Sequence, residues 1–223
     1  MSERRWPARS QGTATTRAAA RGATNPTRNE VKVIPNAKRP TASDYQNELV
    51  RGLAALFTTA PVQKEWAALS GEAGRYSPRL DVAVGPFAFG SVRHGEEFDR
   101  MSQERRGFLE QLHAAHSRNV SQLDPEDRGT PLDVACRKNP NARCFLAIEV
   151  EWSGSRKHLL GGAVNAAALG RLGLSVAGDE DLLRALLKMR RYLLFLGGVG
   201  KNSFDPSNLM VLSAKQLSEA LGR

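Results

Sequence analysis

Long apolar runs are missing from this sequence, and cysteine is scarce. No stretch approaches the roughly 20 apolar residues that span a bilayer, and "RYLLFLGG" at 191–198 is far too short. The N-terminus has no apolar segment of the secretory kind. Its Arg-, Ala- and Thr-rich character, faintly that of a mitochondrial transit peptide, is interrupted by Pro, Asn and Glu. Two cysteines, Cys136 and Cys144, do not make a disulfide framework. A reducing, cytoplasmic setting without a membrane partner is therefore expected. Aromatic residues amount to 6%, and no basic surface rich in them suggests a platform for stacking single-stranded nucleic acid.

Acidic residues are scarce at the start of the chain. Residues 1–43 hold nine Lys and Arg against Glu3 and Glu30, so +7 of the total net charge of +9 lies there. This segment is poor in large apolar residues and has no helical or alternating period, so a disordered basic tail is expected. Such an arm beside a nearly neutral domain suits loose attraction to DNA or RNA, or serves solubility alone.

Residues 44–223 read as one α/β domain. Ser43 followed by Gln46 resembles a capping box opening a helix to about Phe57. "RLDVAVGPF" (79–87) reads as a strand. Residues 88–142 form an insertion with a helical middle, about 96–117, whose apolar positions are Phe98, Met101, Leu109 and Leu112. Further strands are expected at 144–152, 172–178 and 208–214, with helices at 156–169, 179–196 and the C-terminus. That order predicts a mixed sheet flanked by helices.

Within "CFLAIEVEWSGSRKHLLGG" (144–162), strand alternation sorts Cys144, Leu146, Ile148, Val150 and Trp152 to one face. Phe145, Ala147, Glu149 and Glu151 fall on the other. Apolar starts on both faces predict a central strand, where carboxylates are costly unless paired or bound to a cation. Asp81 comes early in its own strand, so antiparallel pairing would cluster it with Glu149 and Glu151. Such oxygen-rich clusters suit Mg²⁺ or Mn²⁺. The next helix adds positive character: Ser155 or Ser153 at its cap, Arg156 and Lys157 in its first turn, and Lys157, Gly161 and Asn165 along one line. Together these groups suit phosphodiester hydrolysis.

These residues resemble the PD-(D/E)XK nuclease superfamily, the restriction-endonuclease-like fold with an αβββαβ core. "SPRLD" (77–81) looks like its first half-motif and "EVE" (149–151) stands where (E/Q)-x-K is usual. The resemblance covers roughly residues 44–178 and implies Asp81 and Glu149 as metal ligands. Glu151 becomes a further ligand or base, and Glu48 in the preceding helix an additional acid. Glu151 replaces the customary lysine, and Lys157 is the candidate for a migrated one. Ser155, Arg156 and Asn165 are the expected phosphate contacts. The resemblance implies a Mg²⁺- or Mn²⁺-dependent nuclease, DNA favoured over RNA, with the insertion setting substrate choice or a homodimer or partner contact. A catalytically inactive nuclease-like module in a defence, repair or regulatory complex remains the alternative.

Other motifs carry less. "GGVGKNS" (197–203) lacks a P-loop's first glycine, with Phe195 in its place, and has Asn202 for Ser/Thr. His113 and His116 with Cys136 and Cys144 lack zinc-site spacing. Arg184, Lys188 and Arg191 form a basic helical stripe that could touch phosphates or be merely solvated.

Overall fold

Apolar runs of the chain become five strands of one mixed sheet, in the order β1-β2-β3-β4-β5. The computed structural model describes residues 40–69 and 77–222. The expected basic tail lies outside them up to residue 39. The elements are α1 (Ala42–Leu56), β1 (Val62–Ala67), β2 (Arg79–Val84), α2 (Gly95–Glu104), α3 (Arg106–Leu123), α4 (Leu132–Ala135), β3 (Cys144–Glu151), α5 (Arg156–Leu169), β4 (Gly170–Ala177), α6 (Glu180–Gly198), β5 (Leu209–Ser213) and α7 (Ala214–Ala220). β1, β2 and β3 pair antiparallel, and β4 and β5 continue parallel to β3.

The α/β expectation holds, with additions. β1 was not foreseen. The insertion's helical middle is two helices parted at Arg105, and a short α4 follows in what reads as loop. The capping box of α1 is Thr41 with Asp44, two residues before the expected Ser43 and Gln46. Ser43 instead accepts a hydrogen bond from Lys64 Nζ at 2.9 Å.

Helices cover both faces of the sheet. α1, α2, α3 and α7 pack on Val82, Val84, Leu146, Ile148, Val150, Leu172, Leu174 and Leu212. On the opposite face α5 presents Ala163, Ala166 and Ala167 to Ala83 and Ala147. These small side chains bring α5 close: a Cβ at Gly173 would stand 2.7 Å from the Ala166 carbonyl oxygen. Alternation along β3 holds from Leu146 onward. At its start Phe145 joins the α1 side and Cys144 the α5 side, the reverse of strict alternation.

The insertion is part of the core. Phe98, Met101, Leu109 and Leu112 are all buried, as their spacing predicts. α3 also shields the edge strand β5: Val211 N–H donates to His116 Nδ1 (3.1 Å), and Asn119 Nδ2 donates to the Val211 carbonyl (3.0 Å). Arg190 Nε of α6 donates to the Leu209 carbonyl at 3.0 Å. Side chains thus occupy edge groups that would otherwise template pairing with another chain.

The C-terminus of α5 is closed by asparagines. Asn208 Nδ2, fully buried, donates to the Ala167 and Gly170 carbonyls at 3.0 Å each. Asn139 Nδ2 reaches the Ala168 and Gly170 carbonyls at 2.9 Å. Asn208→Ala strips buried carbonyls of a donor, so chemical denaturation should show a loss of about 2–3 kcal/mol. A loss below about 0.5 kcal/mol would mean that Asn139 alone closes the helix.

Candidate metal and phosphodiester site

Antiparallel pairing of β2 with β3 does what the sequence leads one to expect. Val82 stands opposite Ile148, and Asp81 Oδ2 accepts from the Val150 backbone N–H at 2.7 Å. One step further along that register Asp81 stands opposite Glu149, and its carboxylate reaches the Val150 N–H between Glu149 and Glu151. Burial raises the Glu149 carboxyl to about 9, reinforced by Asp81 and Glu151 and opposed by the Asn165 side chain. Glu149 is 8% exposed, and its Oε1 has no hydrogen-bond partner. Burial, with Asp81 adding to it, also raises Glu151, against a lowering by His158. Asp81 is raised by burial, while the Val150 N–H, Lys64 and Gln46 pull it back and Glu65 pushes it up.

Two glycines make room for these acids. A Cβ at Gly162 would meet Glu151 Oε1 at 2.8 Å and Glu149 Cβ and Cγ at 3.5 Å. One at Gly154 would meet Glu151 Oε2 at 3.2 Å. The Glu151 carboxylate thus sits in a cradle between the loop before α5 and that helix's second turn. Asn165, expected as a phosphate contact, hydrogen-bonds the Glu149 side chain. The residue of the first turn that acts on Glu151 is His158; it and Lys157 are both exposed, and the Cβ position of Gly161 meets nothing within 4 Å. Ser155 is the N-cap of α5, without a side-chain capping bond, and exposed Arg156 lines a cleft toward α6.

Glu48 is not brought to the carboxylates. It is exposed beside Tyr45 and Leu49, along a cleft shared with Ser218 and Leu221 of the C-terminal segment. From α1, Gln46 instead reaches Asp81. β1 adds Lys64 and Glu65. Lys64 Nζ is held by Ser43 Oγ and Asn47 Oδ1, both at 2.9 Å. Glu65 takes a left-handed φ of 54°, uncommon outside glycine. Regular alternation would send adjacent residues to opposite faces. The irregular backbone at Glu65 lets both it and Lys64 act on Asp81.

Among the described residues, no group of three or more His, Cys, Asp or Glu is arranged to hold a metal ion. The donors that are present are carboxylate oxygens, one of them buried without a partner. Hard divalent cations accept such donors, and Mg²⁺ commonly takes one or two carboxylates with water and substrate phosphate completing its shell. The residues fit Mg²⁺ or Mn²⁺. No helix among the described residues is long and apolar enough to cross a membrane. No protein-family model, curated protein or solved structure matches this chain.

Proposed function

We propose that the chain is a divalent-cation-dependent phosphodiesterase acting on nucleic acid, DNA in preference to RNA. The observation that carries this reading is Glu149, buried beside two further acids with one oxygen unpartnered. A carboxylate in that position needs a proton or a cation to offset its desolvation. Asp81 and Glu149 would hold Mg²⁺ or Mn²⁺, with Glu151 as a further ligand or a base. A bound ion supplies positive charge where a phosphoryl group gains negative charge in the transition state.

The chain's own residues set up that site. The Val150 N–H and Gln46 hold Asp81, and Asn165 steadies Glu149. Lys64 brings a fixed cation to Asp81. Ser155 and Arg156 open α5, whose N-terminus favours a phosphate. The succession α1-β1-β2-β3-α5-β4, with three antiparallel strands and a fourth parallel to the third, supports a restriction-endonuclease-like core. Cys136 and Cys144 are buried free thiols, in keeping with a reducing, cytoplasmic setting.

One observation favours the second reading, an inactive nuclease-like module: Glu151 fills the customary lysine position, and the nearby positive character it feels comes from His158. Cleavage of plasmid, linear and single-stranded DNA and of RNA, with Mg²⁺ or Mn²⁺, separates the two. Metal-dependent cutting that disappears in Glu149→Gln is expected. Folded wild-type protein that cuts none of these substrates would sink the hydrolase and leave the module.

A further inference from the structure

A cleft between α5 and α6 carries chemistry that the carboxylates do not use. α6 sets Arg184, Lys188, Tyr192 and Phe195 at spacings of four, four and three residues, one stripe along the helix. Arg191, which the sequence groups with Arg184 and Lys188, is paired instead with Asp124 at 3.3 Å. Tyr192 and Phe195 are 49% and 62% exposed. Arg156 of α5 forms the facing wall, and Leu159 and Met189 add apolar lining. The cleft encloses about 570 Å³. Its acid, Asp181, is already paired with Arg184 at 3.0 Å, so Arg156, Arg184 and Lys188 leave the trough positive.

The cleft adjoins the acidic cradle. A Cβ at Gly154 would have Leu159 Cδ2 at 3.7 Å and Glu151 Oε2 at 3.2 Å. The residue lining the trough and the outermost acid thus meet at the same glycine.

We propose that this cleft seats a single-stranded nucleic-acid segment, its phosphates on Arg156, Lys188 and Arg184 and a base stacked on Tyr192, and leads it toward the carboxylates. The inference rests on the nucleic-acid reading above and narrows its substrate to unpaired strands. Cations alone attract duplex and single strand alike. An exposed ring beside them discriminates, because only an unpaired base offers its face for stacking. The sequence led us to expect no such platform: its aromatics are few, but the fold leaves two of them on the stripe that carries the cations.

Fluorescence anisotropy with the full chain in chelator, on labelled oligothymidylate and a duplex of equal length, tests this. Single strand should bind at least about tenfold tighter than duplex. Tyr192→Ala should weaken single-strand binding by about 5- to 150-fold, and Tyr192→Phe should restore it. Lys188→Ala and Arg156→Ala should each lower the logarithmic salt slope by about 0.7. Equal affinity for the two forms, an inert Tyr192→Ala, or displacement of the strand by polyglutamate at matched charge would overturn the cleft. Adding Mg²⁺ or Mn²⁺ separates the two readings. Tyr192-dependent binding without cutting removes the hydrolase and keeps the cleft, whereas cutting without Tyr192 dependence does the reverse.

Discussion

Glu149→Gln should abolish the proposed metal-dependent cleavage, lowering kcat/KM by about a thousandfold or more, the factor that follows when about 4 kcal/mol of transition-state stabilisation is removed. The same substitution stabilises the metal-free protein above neutrality. Burial and the neighbouring Asp81 and Glu151 hold the folded Glu149 carboxyl near 9, far above its ordinary 4.5. The folded chain therefore keeps a proton that the unfolded chain releases. That stabilising contribution is full below about pH 4.5 and is lost as pH rises to about 9. Glutamine has no such titration, so its advantage over wild type should grow by up to about 1.4 kcal/mol per pH unit across that window. Urea unfolding in chelator at several pH values measures it. An active Glu149→Gln protein would remove this carboxylate from the chemistry, whatever its stability.

The lysines sharpen that test. Lys64→Met should reduce kcat by about 10²-fold, since it removes a positioned cation beside Asp81. Lys157→Ala should leave kcat within about threefold of wild type, as expected for an exposed side chain outside the site. The reverse ranking would restore Lys157 to the role the sequence suggested. Each variant needs the same circular dichroism spectrum as wild type, because Lys64 also ties β1 to α1 through Ser43 and Asn47.

What was legible in the sequence follows the strength of local pattern. β3 is buried along nearly its whole length, and its unbroken apolar run marks it. The bounds of α5 were readable because Ser155 and Gly170 punctuate them. β1 was not readable. It is an edge strand whose Gln63, Lys64 and Glu65 are at most half-buried, and its backbone turns left-handed at Glu65. Missing β1 concealed Lys64 and Glu65 as neighbours of Asp81.

That His158 and not Lys157 acts on Glu151 has a geometric cause. An α-helix advances about 100° per residue, so residues eight apart, such as Lys157 and Asn165, diverge by about 80°. His158 and Asn165 are seven apart and diverge by only about 20°. The line facing the acids is therefore His158, Gly162 and Asn165. Gly162, against which Glu149 and Glu151 lie, was the available signal.

The other large effect lies outside the site, at the acid end of the stability curve. His116 is 2% exposed, and burial together with the nearby Arg190 lowers its ring to about 3, with His113 adding to the depression. The hydrogen bond from Val211 N–H requires a lone pair on Nδ1, so the neutral ring carries its proton on Nε2. Nε2 has no partner, and Arg190 is itself buried with Asp127 as its counter-charge at 3.6 Å. Protonating His116 would cost the Val211 bond and set a second buried cation beside Arg190. The unfolded chain binds that proton at its ordinary value of 6.5, so this contribution is full above pH 6.5 and lost as pH falls toward 3. His116→Asn keeps an acceptor for Val211 but cannot titrate. It should cost about 1–2 kcal/mol at pH 8 through lost packing. Between pH 6 and 4 its stability should fall less steeply than that of wild type, by about 1.4 kcal/mol per pH unit. Urea titrations at pH 8, 6, 5 and 4 read both effects. Parallel curves for the two proteins would mean that His116 charges without penalty, and that some other group sets the acid limit of the edge formed by α3 and β5.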